Sequence, residues 1–491
     1  MIKMLRTSNQ NSTSLKKNAI LNTIKTLMSL IFPLITFPYA SRILLPEGLG
    51  KINFALSVIS YFAIISSLGI ENYGIREAAK LRDDKIKLSQ FSKEIFLINM
   101  ISTVAAYLLL FVTIVFVPKF QEYKTLLYVT SATILFTTLG MNWLYSAVED
   151  YLYITVRSIV FQILSLVLLF ILVKTKDDYV KYATISVISN VGSNILNFIH
   201  SRKYITFKTG LAFQIKKHIK PIFVLFAMAI AVKVYTVLDA TMLGFMKGDF
   251  EVGIYTAATR INKIVLSLVI AVITVMLPRL SYYAKDEDKT KFIELSYKGF
   301  DFLLLLSIPC TIGLSLLSES IINVFCGQGY TDAIIPMRIM NPIIIIIGIS
   351  SYIGINIFIS INKEIYKLYS TIAGAVINFV LNSILIPKYG VIGASIATVI
   401  SEGTVTLVQL VLLRRFLKIK SVFFKFLIYL LNSIIMAIPV VACLIFIKFE
   451  ILKLILGCLF GIGIYFLLLL AEKNLFIKEI LESLQKRKNV C

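Results

Sequence analysis

Tryptophan occurs once and histidine twice in 491 residues, and acids are scarce, with 27 Asp and Glu against 50 Lys and Arg. Charged residues make up only 16% of the chain, where a soluble domain carries about 25%; one or several soluble domains are therefore excluded. The two histidines, His200 and His218, fall in one linker and form neither HExxH nor a nucleophile–base triad, and no Walker A sequence is present, so P-loop hydrolysis of ATP is not expected. Cys310, Cys326, Cys443, Cys458 and Cys491 contain no CxxC pair and imply no disulfide or metal site; Cys491, as the last residue, is not a prenylation box. Asp286-Glu-Asp288 matches the DxD of many glycosyltransferases, but it lies in a short Lys-rich connector without strands around it and reads as a solvated charge run. The first apolar stretch, Asn18 to Leu45, is too long for a signal-peptide core and carries Lys25, so it is expected to be retained.

What is present in abundance is apolar sequence, 58% of the chain. Hydrophobic spans are predicted near 18–42, 48–70, 94–117, 125–146, 154–173, 179–199, 221–246, 252–278, 292–318, 333–360, 365–386, 390–413, 426–447 and 451–471. Each is long enough to cross a hydrocarbon core with some tilt. The connections between them are short, which leaves no room for an extramembrane domain. Basic residues collect in alternate connections: Arg76–Lys93, Arg202–Lys220, Arg279–Lys298 and Arg414–Lys425, together with both tails. That side holds 34 of the 50 basic residues and the opposite side 12. By the positive-inside rule both termini are predicted to be cytoplasmic. The net charge of +23 thus reports topology and anionic-lipid contact, and no nucleic-acid partner is expected, because no folded basic–aromatic face is evident.

A weak internal repeat recurs at an offset of roughly 200–215 residues. Gly50-Lys-Ile-Asn-Phe-Ala55 parallels Gly253-Ile-Tyr-Thr-Ala-Ala258, Glu149-Asp-Tyr-Leu-Tyr153 parallels Asn362-Lys-Glu-Ile-Tyr366, and Ala183-Thr-Ile-Ser parallels Ala394-Ser-Ile-Ala. Six spans per repeat keep the two halves in one orientation, related by an axis along the membrane normal. The expected organisation is residues 1–205 with spans 1–6, 206–418 with spans 7–12, and 419–491 with an appended pair of spans and a cytoplasmic tail.

This 6+6+2 plan, the stretch Gly-Ile-Glu-Asn-Tyr-Gly-Ile-Arg-Glu-Ala-Ala at 69–79, and Asn142-Trp-Leu-Tyr-Ser-Ala-Val-Glu-Asp-Tyr151 resemble the Wzx-type polysaccharide flippases. These belong to the superfamily that also contains multidrug (MATE) exporters and lipid II flippases. The resemblance covers essentially the whole length. It implies an all-α, MATE-like membrane protein of about 14 transmembrane helices that moves an undecaprenyl-diphosphate-linked oligosaccharide from the cytoplasmic to the outer leaflet. It also implies a bacterial cytoplasmic membrane, no cofactor, and polymerase and chain-length proteins of the same pathway as partners. Two other classes stay open on sequence alone: a cation-coupled drug exporter of the same superfamily, and a membrane polysaccharide polymerase or ligase, an enzyme that usually carries a long outer loop.

Charges at membrane depth are costly, about 2.5–3.5 kcal/mol each on insertion scales, so each needs a reason. Lys233 falls near the middle of span 7, and Arg260 and Lys263, three residues apart on one helix face, fall at middle depth in span 8. Lys25 lies in the inner half of span 1 and is either a fourth cation of the same cavity or a side chain that reaches back to the interface. These four are the candidate substrate-binding residues, expected to line a central cavity between the halves, because fixed cations offset the desolvation of a diphosphate and bind its oxygens. Asp239, Asp301 and Glu402 are the acids at depth. Two readings remain for them, a proton or sodium site that couples transport, or counter-ions for the cations. Pro33, Pro38, Pro309 and Pro342 are candidate kinks.

Overall fold

Long runs of Leu, Ile, Val and Phe in lipid leave the backbone no partner but itself, and helices satisfy it segment by segment. The computed structural model describes residues 2–206, 213–285, 289–417 and 420–474, which are helices joined by short turns, with no strand among them. Nine helices among the described residues are long and apolar enough to cross a membrane by length and composition. Their surfaces carry large apolar side chains in the open, Phe111 and Phe446 for example, as lipid-facing helices require. The chain is an all-α polytopic membrane protein. Helix also covers each of the fourteen predicted spans, with several of them broken inside.

The chain divides into two compact units, Met1–Gly253 and Ile254–Cys491. In the first, α1 (Ile2–Ser67) is two helices that meet at Leu45, whose backbone is left-handed (φ 59). The next residue is Pro46, and a residue before proline is pushed out of the helical region. Pro33 and Pro38, by contrast, stay inside helix. Leu68 and Gly69, both at positive φ, turn the chain into α2 (Ile70–Leu81). This short helix buries Ile70, Tyr73, Gly74 and Ala78 and exposes its charges. α3 (Lys85–Phe116) is capped by the Asp84 carboxylate, which accepts from the Ile86 and Lys87 amides. α4 (Pro118–Glu122), α5 (Lys124–Gly140) and α6 (Asn142–Ala147) follow, α5 and α6 being separated by left-handed Met141. α7 (Tyr151–Leu172), α8 (Tyr179–Val187), a π-helical turn (Ile188–Gly192) and α9 (Asn194–His200) lead to α10 (Lys216–Met246), which lies along α1.

One end of this unit is closed where glycine backbone meets a carbonyl or a ring. A Cβ on Gly50 would overlap the Asp249 carbonyl, one on Gly253 the Pro46 carbonyl, and one on Gly244 the Phe54 ring. Around these contacts the Lys119 ammonium donates to the Gly244 carbonyl and the Tyr123 hydroxyl to the Asp249 carboxylate. Deeper in the unit, Ser66, Thr103 and Thr138 share hydroxyl bonds of 2.7–3.3 Å, and Asn99 donates to the Ser66 carbonyl at 2.8 Å.

The second unit contains most of α11 (Asp249–Thr274), then α12 (Leu277–Lys285) and α13 (Lys289–Phe325). α14 (Ile334–Met340) and α15 (Ile343–Ser351) are separated at Pro342, so of the four candidate prolines this one stands at a helix break. Pro309 lies within α13. A π-helical turn (Tyr352–Ile357) and α16 (Phe358–Ser360) precede α17 (Glu364–Leu413), which breaks at Gly390 (φ 54, ψ −131), a conformation open to glycine. α18 (Lys420–Phe446) and α19 (Glu450–Ala471) pack on α13 around Leu304, Ile308, Tyr429 and Tyr465. Glu149 and Asn362, which head the paired stretches of the repeat, have matching left-handed backbones, φ 60 and 55. Each turns the chain into the helix that follows, α7 or α17.

Candidate functional site

Lys233 is half-buried on α10, 13 residues before the end of that helix at Met246, which at 1.5 Å per residue is about 20 Å along the axis. Arg260 and Lys263 sit on the uninterrupted α11, the first half-buried and the second exposed, about 16 and 21 Å from its start. The structure therefore keeps the expected one-turn spacing of the Arg260–Lys263 pair. Asp239 is buried on α10, and Glu402 is half-buried on α17. Asp239, Arg260, Lys263 and Glu402 are each engaged by a neighbour. The Lys25 side chain and Asp286-Glu-Asp288 lie outside the described residues.

Asp301 takes its partners from α18. Its carboxylate accepts from the Tyr429 hydroxyl at 2.6 Å and faces the Lys425 ammonium at 3.7 Å, both on α18. The Asn474 amide donates to the same Tyr429 oxygen at 3.0 Å. Asp301 thus fastens the appended α18–α19 pair to α13.

The two sequence stretches that carried the family resemblance meet in space. Tyr73 and Trp143, one from each, both pack against Phe91, with ring centroids 6.1 and 5.9 Å away. Beneath them lies a polar group that sequence reading missed. His218 is not a linker residue without partners. It is buried in the first turn of α10, with Nε2 2.7 Å from Glu94 Oε2 and Nδ1 2.7 Å from the Tyr73 hydroxyl. Glu94, fully buried, also accepts from Gln90 Nε2 and the Gln214 amide, each at 2.8 Å, and Lys217 stands 3.6 Å away. Both ring nitrogens are thus engaged, Nε2 by the Glu94 carboxylate, to which it donates, and Nδ1 by the Tyr73 hydroxyl. A buried carboxylate with this many donors ties α2, α3 and α10 together. The clue in the sequence was an acid, Glu94, at the first position of a predicted span.

A third cluster surrounds the end of the second family stretch. Asp150 accepts from the Tyr204 hydroxyl at 2.5 Å and caps α7 through the Tyr153 amide. Burial, with the Asp150 carboxylate beside it, pushes the Tyr204 phenol up, so it remains a donor. Tyr145 donates to the Asn197 carbonyl at 2.5 Å and stacks on Tyr153, which in turn stacks on His200 at 3.9 Å.

The fold is shared with solved multi-helix membrane proteins. A solved structure of the lipid II flippase MurJ, in an inward closed conformation, matches 94% of this chain and all of its own with a TM-score of 0.75 at 20% identity. An inward-facing MATE-family multidrug resistance transporter of the MOP superfamily matches 81% of this chain and 97% of its own with a TM-score of 0.63 at 14% identity. The sequence profile of the family described as "Polysaccharide biosynthesis protein" matches residues 15–284, more than half of the chain, and the chain belongs to that family. Among curated relatives, the "Putative O-antigen transporter" of Escherichia coli (strain K12) is 24% identical over 410 residues, 83% of this chain and 98% of the relative. The "Capsular polysaccharide biosynthesis protein CapF" of Staphylococcus aureus is 24% identical over 367 residues, 73% of this chain and 88% of the relative. The resemblance read from residues 69–79 and 142–151 is borne out.

Proposed function

We propose that the protein is a flippase that carries an undecaprenyl-diphosphate-linked oligosaccharide from the cytoplasmic to the outer leaflet of the bacterial inner membrane, for assembly of a surface polysaccharide. The observation that carries this reading is the fold shared with a lipid II flippase over nearly the whole chain, joined to membership of a polysaccharide biosynthesis family. The O-antigen transporter name of the E. coli relative supports the same substrate class. The protein is a transporter and not an enzyme, spans the membrane fourteen times, and keeps both termini in the cytoplasm. Its two six-span halves, 1–205 and 206–418, alternate access, with 419–491 appended. Polymerase and chain-length proteins act on the delivered substrate.

Lys25, Lys233, Arg260 and Lys263 supply the cations that offset desolvation of the diphosphate. The half-buried positions of Lys233 and Arg260, far from their helix ends, support that role. Moving two negative charges outward across 100 mV releases about 4.6 kcal/mol, so the membrane potential alone favours export. Asp239, Asp301 and Glu402 then serve as counter-ions or as fasteners, and coupling to an ion gradient is not required.

The test is the double substitution Arg260→Ala/Lys263→Ala. Each lost charge-assisted bond is worth about 1.5–3 kcal/mol. Export should therefore stop while the protein stays in the membrane, and lipid-linked glycan should accumulate on the inner leaflet. Normal export at normal abundance would remove these residues from the substrate pathway.

A further inference from the structure

An open groove of about 520 Å³ runs between the first turns of α7 and the end of α9. Its walls are Leu152, Val156, Val160 and Leu196, all among the exposed apolar side chains of the first unit. Such a surface on a membrane protein is built for acyl chains. Its polar end is different in kind. Arg157, only 8% exposed, lines the groove and spends Nη1 on the Ser193 carbonyl at 3.1 Å, while its buried Nε has no hydrogen-bond partner. Arg157 is also held over the Tyr153 ring, 5.9 Å from its centroid. The buried His200 Nε2 likewise has no hydrogen-bond partner, Asp150 Oδ2 being 3.7 Å away. Lys203 adds a second full positive charge at the same end. Asp150 is the acid there, and its Oδ2 already accepts from Tyr204.

A buried guanidinium with an unused donor is costly, and such groups are normally satisfied. Arg157 lies six residues into α7, about 9 Å from the helix start, the depth of the headgroup–acyl boundary for a helix that begins at the interface. A phosphate diester placed there meets the guanidinium and the ammonium, while its two chains lie along Val156 and Val160. We propose that this groove is a binding site for an anionic glycerophospholipid, its phosphate held by Arg157 and Lys203 and its chains on the face of α7. The alternate crowding of basic residues puts this end of the helix bundle in the leaflet richest in anionic lipid. The bound lipid fills the space next to the Tyr145–Tyr153–His200 stack and thereby braces the turn that carries the second family stretch.

The experiment uses the full chain reconstituted in nanodiscs of phosphatidylcholine, alone or mixed with phosphatidylglycerol, followed by native mass spectrometry of the released protein. The wild-type chain should retain phosphatidylglycerol in preference to phosphatidylcholine. Arg157→Met and Val160→Trp should each lower that retention about tenfold, the first by removing a charge-assisted bond and the second by filling the groove. Val160→Trp leaves every hydrogen bond in place, so it decides the matter if Arg157→Met does not insert. Retention unchanged in Val160→Trp places the lipid elsewhere and overturns the proposal. Two further arms separate the sources of phosphate. Inorganic phosphate that stabilises the protein in pure phosphatidylcholine as well as phosphatidylglycerol does, or undecaprenyl phosphate that displaces phosphatidylglycerol at equal mole fraction, assigns the site to another ligand and overturns it.

Discussion

Removing Glu94 and His218 singly and together measures how firmly α2, α3 and α10 are fastened. His218→Ala deletes the bond to Glu94, about 1.5–3 kcal/mol for a charge-assisted pair, and leaves the buried Tyr73 hydroxyl without its partner, about 1 kcal/mol more. A loss of about 2.5–4 kcal/mol is expected. Glu94→Gln keeps the shape, but its NH2 must face donors at one end of the former carboxylate, either Gln90 and Gln214 at Oε1 or His218 at Oε2; about 2–3 kcal/mol is expected. Both substitutions break the same contact, so the double variant Glu94→Gln/His218→Ala should cost less than their sum by about 1–2 kcal/mol. The protein supplies its own probe. Trp143, the one tryptophan, is 4% exposed and shares Phe91 with His218, whose ring centroid is 5.4 Å from that phenylalanine. Thermal unfolding followed by its fluorescence gives the midpoints, and the native emission maximum should move to the red in either single variant. Additive losses, or an emission maximum that stays in place, would refute the claim that the group acts as one fastener.

Two more perturbations separate the roles assigned above. Gly50→Ala places a methyl group against the Asp249 carbonyl, so that end of the first unit should no longer close. Cysteines introduced beside residues 48 and 247 should become reactive to a membrane-impermeant maleimide, and flipping should fall at least tenfold; unchanged labelling would deny the closure. Asp301→Asn keeps an acceptor for Tyr429 and loses only the Lys425 pairing at 3.7 Å, where Lys425 is half in solvent. The expected cost is at most about 1 kcal/mol, with transport nearly intact. Transport that needs a proton or sodium gradient and fails in this variant would instead make Asp301 a coupling site.

The helical class was legible because it is written locally, in apolar runs, and the break at Leu45 falls between two predicted spans, at a residue followed by proline. The spacing of Arg260 and Lys263 was legible for the same reason, since both lie on one helix. What escaped was non-local. Glu94, His218 and Tyr73 stand 124 and 145 residues apart in their pairings, and no spacing rule links them. The partner of Asp301 comes from the appended pair of helices, more than a hundred residues later. Arg157 stands near the start of a predicted span, and its burial is set by the chain packed around it, which no local pattern shows. Met141 and the π-helical turns at 188–192 and 352–357 interrupt spans that read as continuous, because hydrophobicity sets where a helix lies in lipid and tertiary packing sets where it breaks.

The end where Gly50, Gly244 and Gly253 meet their neighbours has a consequence for switching. Dispersion forces fall off so steeply that a gap of half an ångström to one ångström forfeits a quarter to a half of each contact. A seam in which glycine backbone meets a carbonyl or a ring at contact distance therefore behaves as a snap fastener rather than a hinge. Partial separation already gives up attraction, and intermediate widths are disfavoured. The Lys119 ammonium on the Gly244 carbonyl and the Tyr123 hydroxyl on the Asp249 carboxylate latch the same seam, so parting it breaks these bonds together with the close contacts, and water must take their place.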